Sequence, residues 1–356
     1  MLRRRALTPV AAVACAAAVT LAAAGCKVSL QPAAQGAQGG GSAQGQAGPG
    51  IVTSASGGSD RLYVEPGAGF SPVYSLINGA RHSIDVAMYE FADTTAEHDL
   101  AAAARRGVQV RVILDHKELQ DNSGAYDYFR SHGVKVVWSS SSFTYTHQKT
   151  LVIDGSKAMI MTANLTSEYY STSRDFLVAD SSRTDASAIA AVFNADFAHR
   201  AVRPGDGSDL VWSPTDSQDK LLGLINGATK SLRIYSEETG DTTIEKALIS
   251  AAKRGVNVQV CGENSGGEYD SAFSKLAAAG VHVSYYSSST GFYIHGKVIE
   301  ADYGTAHAKV FIGSENFSGT SLNDNRELGL IISSSAIMSA IARSFASDFA
   351  NGKHWT

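Results

Sequence analysis

Apolar and polar positions alternate at two different periods along most of this chain, and the periods switch in a regular order. Pro72–Ala80 places Val73, Leu76, Ile77 and Ala80 on one face of a helix. Ser83–Phe91 alternates and is rich in strand formers. Thr95–Arg106 is Ala-rich and helical, with Gly107 placed to end it. A strand over Val108–Leu114, a helix over Ala125–His132 and a strand over Val134–Trp138 follow. Two further strands, His147–Ile153 and Lys157–Thr162, are joined by Asp154-Gly155-Ser156, a sequence suited to a tight turn. Helices alternating with short apolar strands predict an α/β fold with the sheet covered on both faces.

The pattern then repeats. Leu76-Ile77-Asn78-Gly79-Ala80 recurs as Leu224-Ile225-Asn226-Gly227-Ala228, 148 residues later. Arg106-Gly107-Val108 recurs as Arg254-Gly255-Val256, and Ser139-Ser140-Ser141 as Ser287-Ser288-Ser289, at the same shift. Units this long are domain-sized rather than solenoid repeats. The organisation expected is a repeat over 59–205 and a second over 206–356.

The first 58 residues read differently. Arg3-Arg4-Arg5 precedes an Ala-rich apolar stretch from Ala6 to Ala24, then Gly25-Cys26. A basic head, an apolar middle and small residues before a break form an export signal, expected over 1–25. Ala contributes little transfer free energy, so this run is a weak candidate for a permanent span. Ala23-Ala24-Gly25-Cys26 resembles a bacterial lipobox, with Ala23 where that pattern prefers Leu; the resemblance implies lipidation of Cys26. Residues 31–50 hold seven Gly, five Gln, five Ala and no charge. Such a segment cannot bury enough apolar surface to offset its ordering entropy, so 26–58 is expected to be a flexible tether. The protein is therefore expected outside the cell, or lipid-anchored to the outer face of the bacterial membrane.

Net charge changes the picture of partners. The whole chain carries −4; from residue 26 onward, 27 Lys and Arg stand against 34 Asp and Glu. An acidic protein is a poor candidate for wrapping nucleic acid, because phosphate neutralisation supplies most of that affinity. Beyond Cys15 and Cys26 only Cys261 remains, so no disulfide can form within the repeats, and Cys261 is expected as a buried small hydrophobe.

Chemistry concentrates where the hairpin begins. His147, Lys149 and Asp154 in the first repeat match His295, Lys297 and Asp302 in the second, all at the 148-residue shift. Residues i and i+2 of a strand share a face. An imidazole beside an ammonium is a poor core pair, because burying an unpaired charge is costly; it suits an anion site. Two copies in register make coincidence negligible. Further on, Asn164 matches Asn316 and Arg174-Asp175 matches Arg326-Glu327, now 152 apart, the extra residues falling in the second hairpin turn. No H-x-x-x-H, C-x-x-C or acidic ligand cluster stands in the sequence, so no metal and no cofactor is implied.

The duplicated H-x-K-x4-D, followed in the second repeat by Gly313-Ser314-Glu315-Asn316 and Asn325-Arg326-Glu327-Leu328-Gly329, resembles the phospholipase D superfamily. The first repeat departs from the glycine-serine segment with Met161-Thr162-Ala163-Asn164. The resemblance implies two tandem α/β/α sandwiches about a pseudo-two-fold axis, with both motifs facing one cleft. It implies His147 as nucleophile and His295 as acid, with Lys149, Lys297, Asn164, Asn316, Thr162 and Ser314 at the phosphate. It also implies that Asp175 and Glu327 hold the imidazole tautomers through Nδ1. Asp154 and Asp302 complete the motif as catalytic candidates, with a local role in the turn as the alternative.

Three functions fit these residues. A phospholipase D-type hydrolase or transphosphatidylase acting at a membrane surface agrees with export and acidic charge. Phe143, Tyr145, Phe292 and Tyr293 would then rim the site for acyl chains, or serve as half-buried strand aromatics. A metal-independent endonuclease and a cardiolipin synthase-like transferase are the alternatives. A phospholipid is thus the expected partner, nucleic acid a weaker one, and a monomer the expected state.

Overall fold

The computed structural model describes residues 53–54 and 60–356. The export signal and the lipidation site at Cys26 lie outside the described residues, as does most of the tether. The end of the tether departs from expectation: Thr53–Ser54 pairs antiparallel with Arg61–Leu62 and adds a short edge strand. Among the described residues, no helix is long and apolar enough to cross a membrane.

Two eight-stranded mixed sheets form the framework. Across the first, the order is Thr53–Ser54, Arg61–Val64, Phe176–Asp180, Lys157–Met161, Lys149–Ile153, Ser83–Met88, Gln109–Leu114 and Lys135–Trp138. Across the second it is Leu210–Ser213, Glu327–Ile332, Lys309–Gly313, Val298–Ala301, Ser231–Ser236, Asn257–Glu263, His282–Tyr286 and Lys353–His354. Seven strands correspond in the same spatial order. The eighth caps opposite edges in the two sheets. The parallel strands are joined through helices, and the antiparallel hairpins by tight turns, as the alternating periods predict.

Local signals explain most boundaries. Helix Thr94–Arg105 starts at Asp93, whose carboxylate accepts from the N–H groups of Thr95 and Ala96. Its counterpart Thr242–Lys253 starts at Asp241, which accepts from Thr243 and Ile244. Such caps are each worth about 1 kcal/mol. Gly107 and Gly255, at φ 91° and 89°, turn the chain out of the two helices. One helix is longer than its apolar period shows: Leu119–Ser131 begins six residues before Ala125, because Asn122 is drawn inside by its side chain. Its amide donates to the carbonyl of Tyr89 and accepts from the N–H of Phe91.

The repeats share packing. One buried cluster joins Phe176, Val178 and Ile189 of the first to Trp212, Tyr235, Cys261, Ile294, Leu328 and Phe345 of the second. Cys261 is free and buried, as its apolar run predicts. Helix Ser335–Asn351 lies against strands of both sheets. The interface is therefore a continuous apolar core, into which the charged groups of the site are set.

Candidate active site

Each repeat reaches across the interface with an arginine and an acid in tandem. Asp175 Oδ1 lies 2.8 Å from His295 Nδ1, and Glu327 Oε2 lies 2.8 Å from His147 Nδ1. The neighbouring arginines cross in the same manner. Arg174 meets Asp348 through two hydrogen bonds, and Arg326 Nε lies 2.9 Å from Asp196. Asp196 and Asp348 are themselves 152 residues apart, the register of the arginines. Short strand pairings set these contacts: Ser173–Arg174 runs parallel to Tyr293–Ile294, and Thr146 bridges to Arg326.

That pairing also changes where the hairpin strand starts. The ladder begins at Lys149, not His147, because the backbone ahead of Lys149 bonds to the other repeat. The Lys149 ammonium turns back to donate to the His147 carbonyl at 2.8 Å, and Lys297 does the same to His295 at 2.6 Å. Both lysines are fully buried, whereas the imidazoles keep 12% and 14% of their side-chain surface open.

The electrostatics follow from burial and crossing charges. Burial pushes His147 below its ordinary pKa; Glu327 opposes this and the lysines add to it. Burial and the like charge of Lys297 push Lys149 down. Burial disfavours ionisation of Asp175 and Glu327, but the imidazoles and lysines outweigh it and hold both carboxyls low. Glu327 is further held by the Ser321 hydroxyl at 2.6 Å and the Asn325 amide at 2.9 Å.

Four expected site residues have other duties. Asp154 and Asp302 stand seven residues beyond their histidines, roughly 20 Å along an extended chain. Both sit in turns at φ 52° and 55°. Asp154 accepts the N–H groups of Arg81, His82 and Ser83, and Asp302 those of Thr229, Lys230 and Ser231. They tie each hairpin to the neighbouring strand, which is the local role that the sequence offers as the alternative. Thr162 and Ser314 are fully buried. The Thr162 hydroxyl donates to Asp175 at 2.6 Å and accepts from the Phe176 N–H; Ser314 Oγ accepts from the Leu328 N–H. They brace the acid-bearing strands rather than open onto the cleft.

Asn316 is buried with its side-chain oxygen unpartnered, and the Asn164 amide donates to Glu90 at 3.0 Å. The departure at Met161 is also accounted for. Gly313 pairs across strands with Gly329, and a Cβ at 313 would lie 2.5 Å from the Gly329 Cα. In the first repeat the paired positions are Met161 and Leu177, both buried. A glycine pair is exchanged for a large apolar pair, and the need for glycine is one of packing rather than of access to phosphate.

Two residues of the site, Tyr89 and Glu237, have no signal in the repeat, because the 148-residue register aligns unlike side chains there. Tyr89 lies edge-on to His147 at 4.5 Å between ring centroids, and Lys149 lies 5.0 Å from the same ring. Glu237 pairs with Lys297 at 2.5 Å. Phe143 and Phe292 pack on the guanidinium groups of Arg326 and Arg174, at 4.2 Å and 5.4 Å; Tyr145 packs on Lys117 at 4.7 Å. Glu90, Glu118 and Asp121 bring carboxylate oxygens within 4.8 Å of one another. This corrects the reading that no acidic cluster is present: Glu118 and Asp121 stand together at the start of one helix, and the third acid, Glu90, comes from a distant segment, so local spacing does not reveal the group.

The family described as "Cardiolipin synthase, PLD-like domain" matches residues 73–197 and 221–349, one match on each repeat. The chain belongs to the phospholipase D superfamily. A mitochondrial cardiolipin hydrolase of Xenopus laevis is 28% identical over 106 residues, 30% of this chain and 50% of the relative. The chain thus spans about half the length of the curated relatives it matches. Among solved structures, phosphatidylserine synthase from Haemophilus influenzae covers 86% of this chain and 89% of its own, at TM-score 0.65 and 12% identity. Polyphosphate kinase from Porphyromonas gingivalis covers 81% of this chain and 50% of its own, at TM-score 0.62 and 15% identity. These likenesses establish the tandem phospholipase D-like α/β fold.

Proposed function

We propose that the chain is a phospholipase D-type phosphodiesterase that releases head groups from phospholipids through a phosphohistidine. One observation carries this reading: each imidazole is held at Nδ1 by a carboxylate of the opposite repeat, which turns Nε2 away from that acid, with a buried ammonium nearby; at His295 a second carboxylate, Glu237, stands 3.7 Å from Nε2.

The steps follow from those contacts. The His147 Nε2 lone pair forms a bond to phosphorus as the bond to the head-group oxygen breaks. His295 gives its Nε2 proton to that oxygen, and the alcohol leaves. Water then loses a proton to His295 and attacks phosphorus, returning the N–P pair to His147 and releasing phosphatidate. Glu327 and Asp175 keep each ring in the tautomer that presents Nε2. Lys149 and Lys297, with Asn164 and Asn316, take the non-bridging oxygens and stabilise charge in the transition state. With an alcohol in place of water, the same intermediate yields head-group exchange, in keeping with the cardiolipin synthase description of the family. Export or lipidation at Cys26 would put this chemistry beside its substrate.

The test offers the full chain mixed phosphatidylcholine, phosphatidylethanolamine and phosphatidylglycerol vesicles, and separately plasmid DNA, each with chelator. Head-group release with intact DNA, and an acid-labile phosphohistidine trapped on His147, are expected. DNA cleavage without head-group release overturns the lipid reading in favour of a nuclease.

A further inference from the structure

The two repeats differ most sharply at one position beside the phosphate site. The 148-residue register aligns Glu237 with Tyr89. In the first repeat the Tyr89 ring lies against His147 and its hydroxyl donates to Glu118 at 2.8 Å. In the second, a carboxylate stands at the corresponding place. Glu237 Oε2 is 2.5 Å from the Lys297 ammonium. Glu237 Oε1 accepts from the Tyr293 hydroxyl at 2.8 Å and lies 3.7 Å from His295 Nε2.

His295 therefore meets a carboxylate at each nitrogen, Asp175 at Nδ1 and Glu237 at Nε2. His147 meets one within ion-pair distance among the described residues, Glu327 at Nδ1. An opposite charge this close favours the protonated ring. We propose that Glu237 is a positioning residue that keeps the proton on His295 Nε2, making the second-repeat histidine the acid and leaving the first-repeat histidine to attack phosphorus. This rests on the two-histidine phosphodiesterase reading above.

The surroundings of His295 are built around it at both nitrogens. Asp175 lies 2.8 Å from its Nδ1, Glu237 lies 3.7 Å from its Nε2, and the Tyr293 ring packs at 6.0 Å between centroids. Burial resists the charge on Glu237, but Lys297, His295 and His147 outweigh it and keep the carboxyl well below its usual range. Nor need Glu237 leave when substrate enters. An ammonium has three donors. Lys297 gives one to the His295 carbonyl and one to Glu237, so one remains for a phosphoryl oxygen. Lys149 gives one to the His147 carbonyl and has two left. Lys149 thus has more unused donors for the phosphate than Lys297, which leaves the departing oxygen to face His295, with the Glu237 carboxylate beside that ring.

Leaving groups that do and do not need that proton separate this role from a structural one. The first turnover of Glu237→Gln is measured on the mixed phospholipid vesicles and on phosphatidyl-p-nitrophenol, whose phenolate leaves without a proton. Loss of about tenfold or more is expected on the alkyl head groups, with a much smaller loss on the aryl ester. The basic limb of the alkyl pH profile should move to lower pH. Glu237→Asp, which restores a carboxylate, should recover part of the alkyl rate. Equal losses on both esters with an unmoved basic limb overturn the proposal while wild-type turnover and the phosphohistidine preserve the parent reading. Wild-type protein that cleaves neither ester and traps no phosphohistidine overturns both.

Discussion

Glu327 Oε2 lies 2.8 Å from His147 Nδ1 although 180 residues separate them and they belong to different repeats. Asp175 repeats the arrangement with His295. Neither histidine finds its Nδ1 carboxylate within its own repeat, so on the proposed mechanism the chemistry depends on the interface. Replacing Glu327 by Gln should lower kcat by about a hundredfold or more, because the imidazole loses both its tautomer preference and the charge that stabilises its cation. Asp175→Gln should do likewise. Steady-state kinetics with circular dichroism as a fold control checks this; wild-type turnover in either variant would refute the paired roles.

The interlock of Arg174 with Asp348 and Arg326 with Asp196 should matter for stability rather than chemistry. Removing one partner leaves a buried charge without its counter-ion, at a cost of about 3–5 kcal/mol. Asp348→Ala should be the more damaging, since Asp348 also accepts the Tyr235 hydroxyl at 2.6 Å. Replacing Arg326 and Asp196 together by Met and Leu should cost less than either single change. Urea unfolding of wild type, Asp348→Ala, the two single changes at Arg326 and Asp196, and the double gives the comparison.

On the proposed mechanism His147 must be unprotonated to attack. Burial and the charges of Lys149 and Lys297 hold its pKa below the ordinary imidazole value of about 6.5. The acidic limb of kcat/KM should therefore lie below that pH. Lys149→Met removes one of those charges, so the His147 resonance followed by NMR should titrate at higher pH than in wild type. The two rings are coupled, and the kinetic limbs belong to the pair.

Asp154 and Asp302 give a pH-dependent contribution of their own. Burial is the largest single influence and opposes their ionisation, but the three backbone N–H donors at each carboxylate together outweigh it and put the folded pKa below the unfolded one. Their contribution is thus present above the unfolded carboxylate pKa and is lost as pH falls through the folded value. Asp302→Asn should be destabilising at pH 7 by on the order of 2 kcal/mol, with the gap from wild type closing in acid. Turnover per folded molecule should hold steady. A large fall in kcat without loss of stability would return Asp302 to the catalytic group.

Much of this was legible before any coordinates. The 148- and 152-residue registers mark out the duplicated α/β unit, and strict recurrence of His147 with Lys149 and His295 with Lys297 marks the chemistry. Recurrence does not separate catalysis from folding, since a turn that must tie two strands is repeated as faithfully as a site; the sequence therefore offers both roles for Asp154 and Asp302, and their backbone hydrogen bonds favour the local one. Thr162 and Ser314 misled for the same reason, being repeated braces of the acid strands.

What the linear order could not contain is partnership between distant segments. Periodicity and repetition are local or translational signals, and they named the residues, the strands and the helices. Which acid holds which histidine depends on the apolar interface that swaps neighbours between repeats. The contrast between Tyr89 and Glu237 became meaningful only when folding set one against a ring and the other against an ammonium. Coulomb interaction and burial act through distance in space, and only the packed chain supplies those distances.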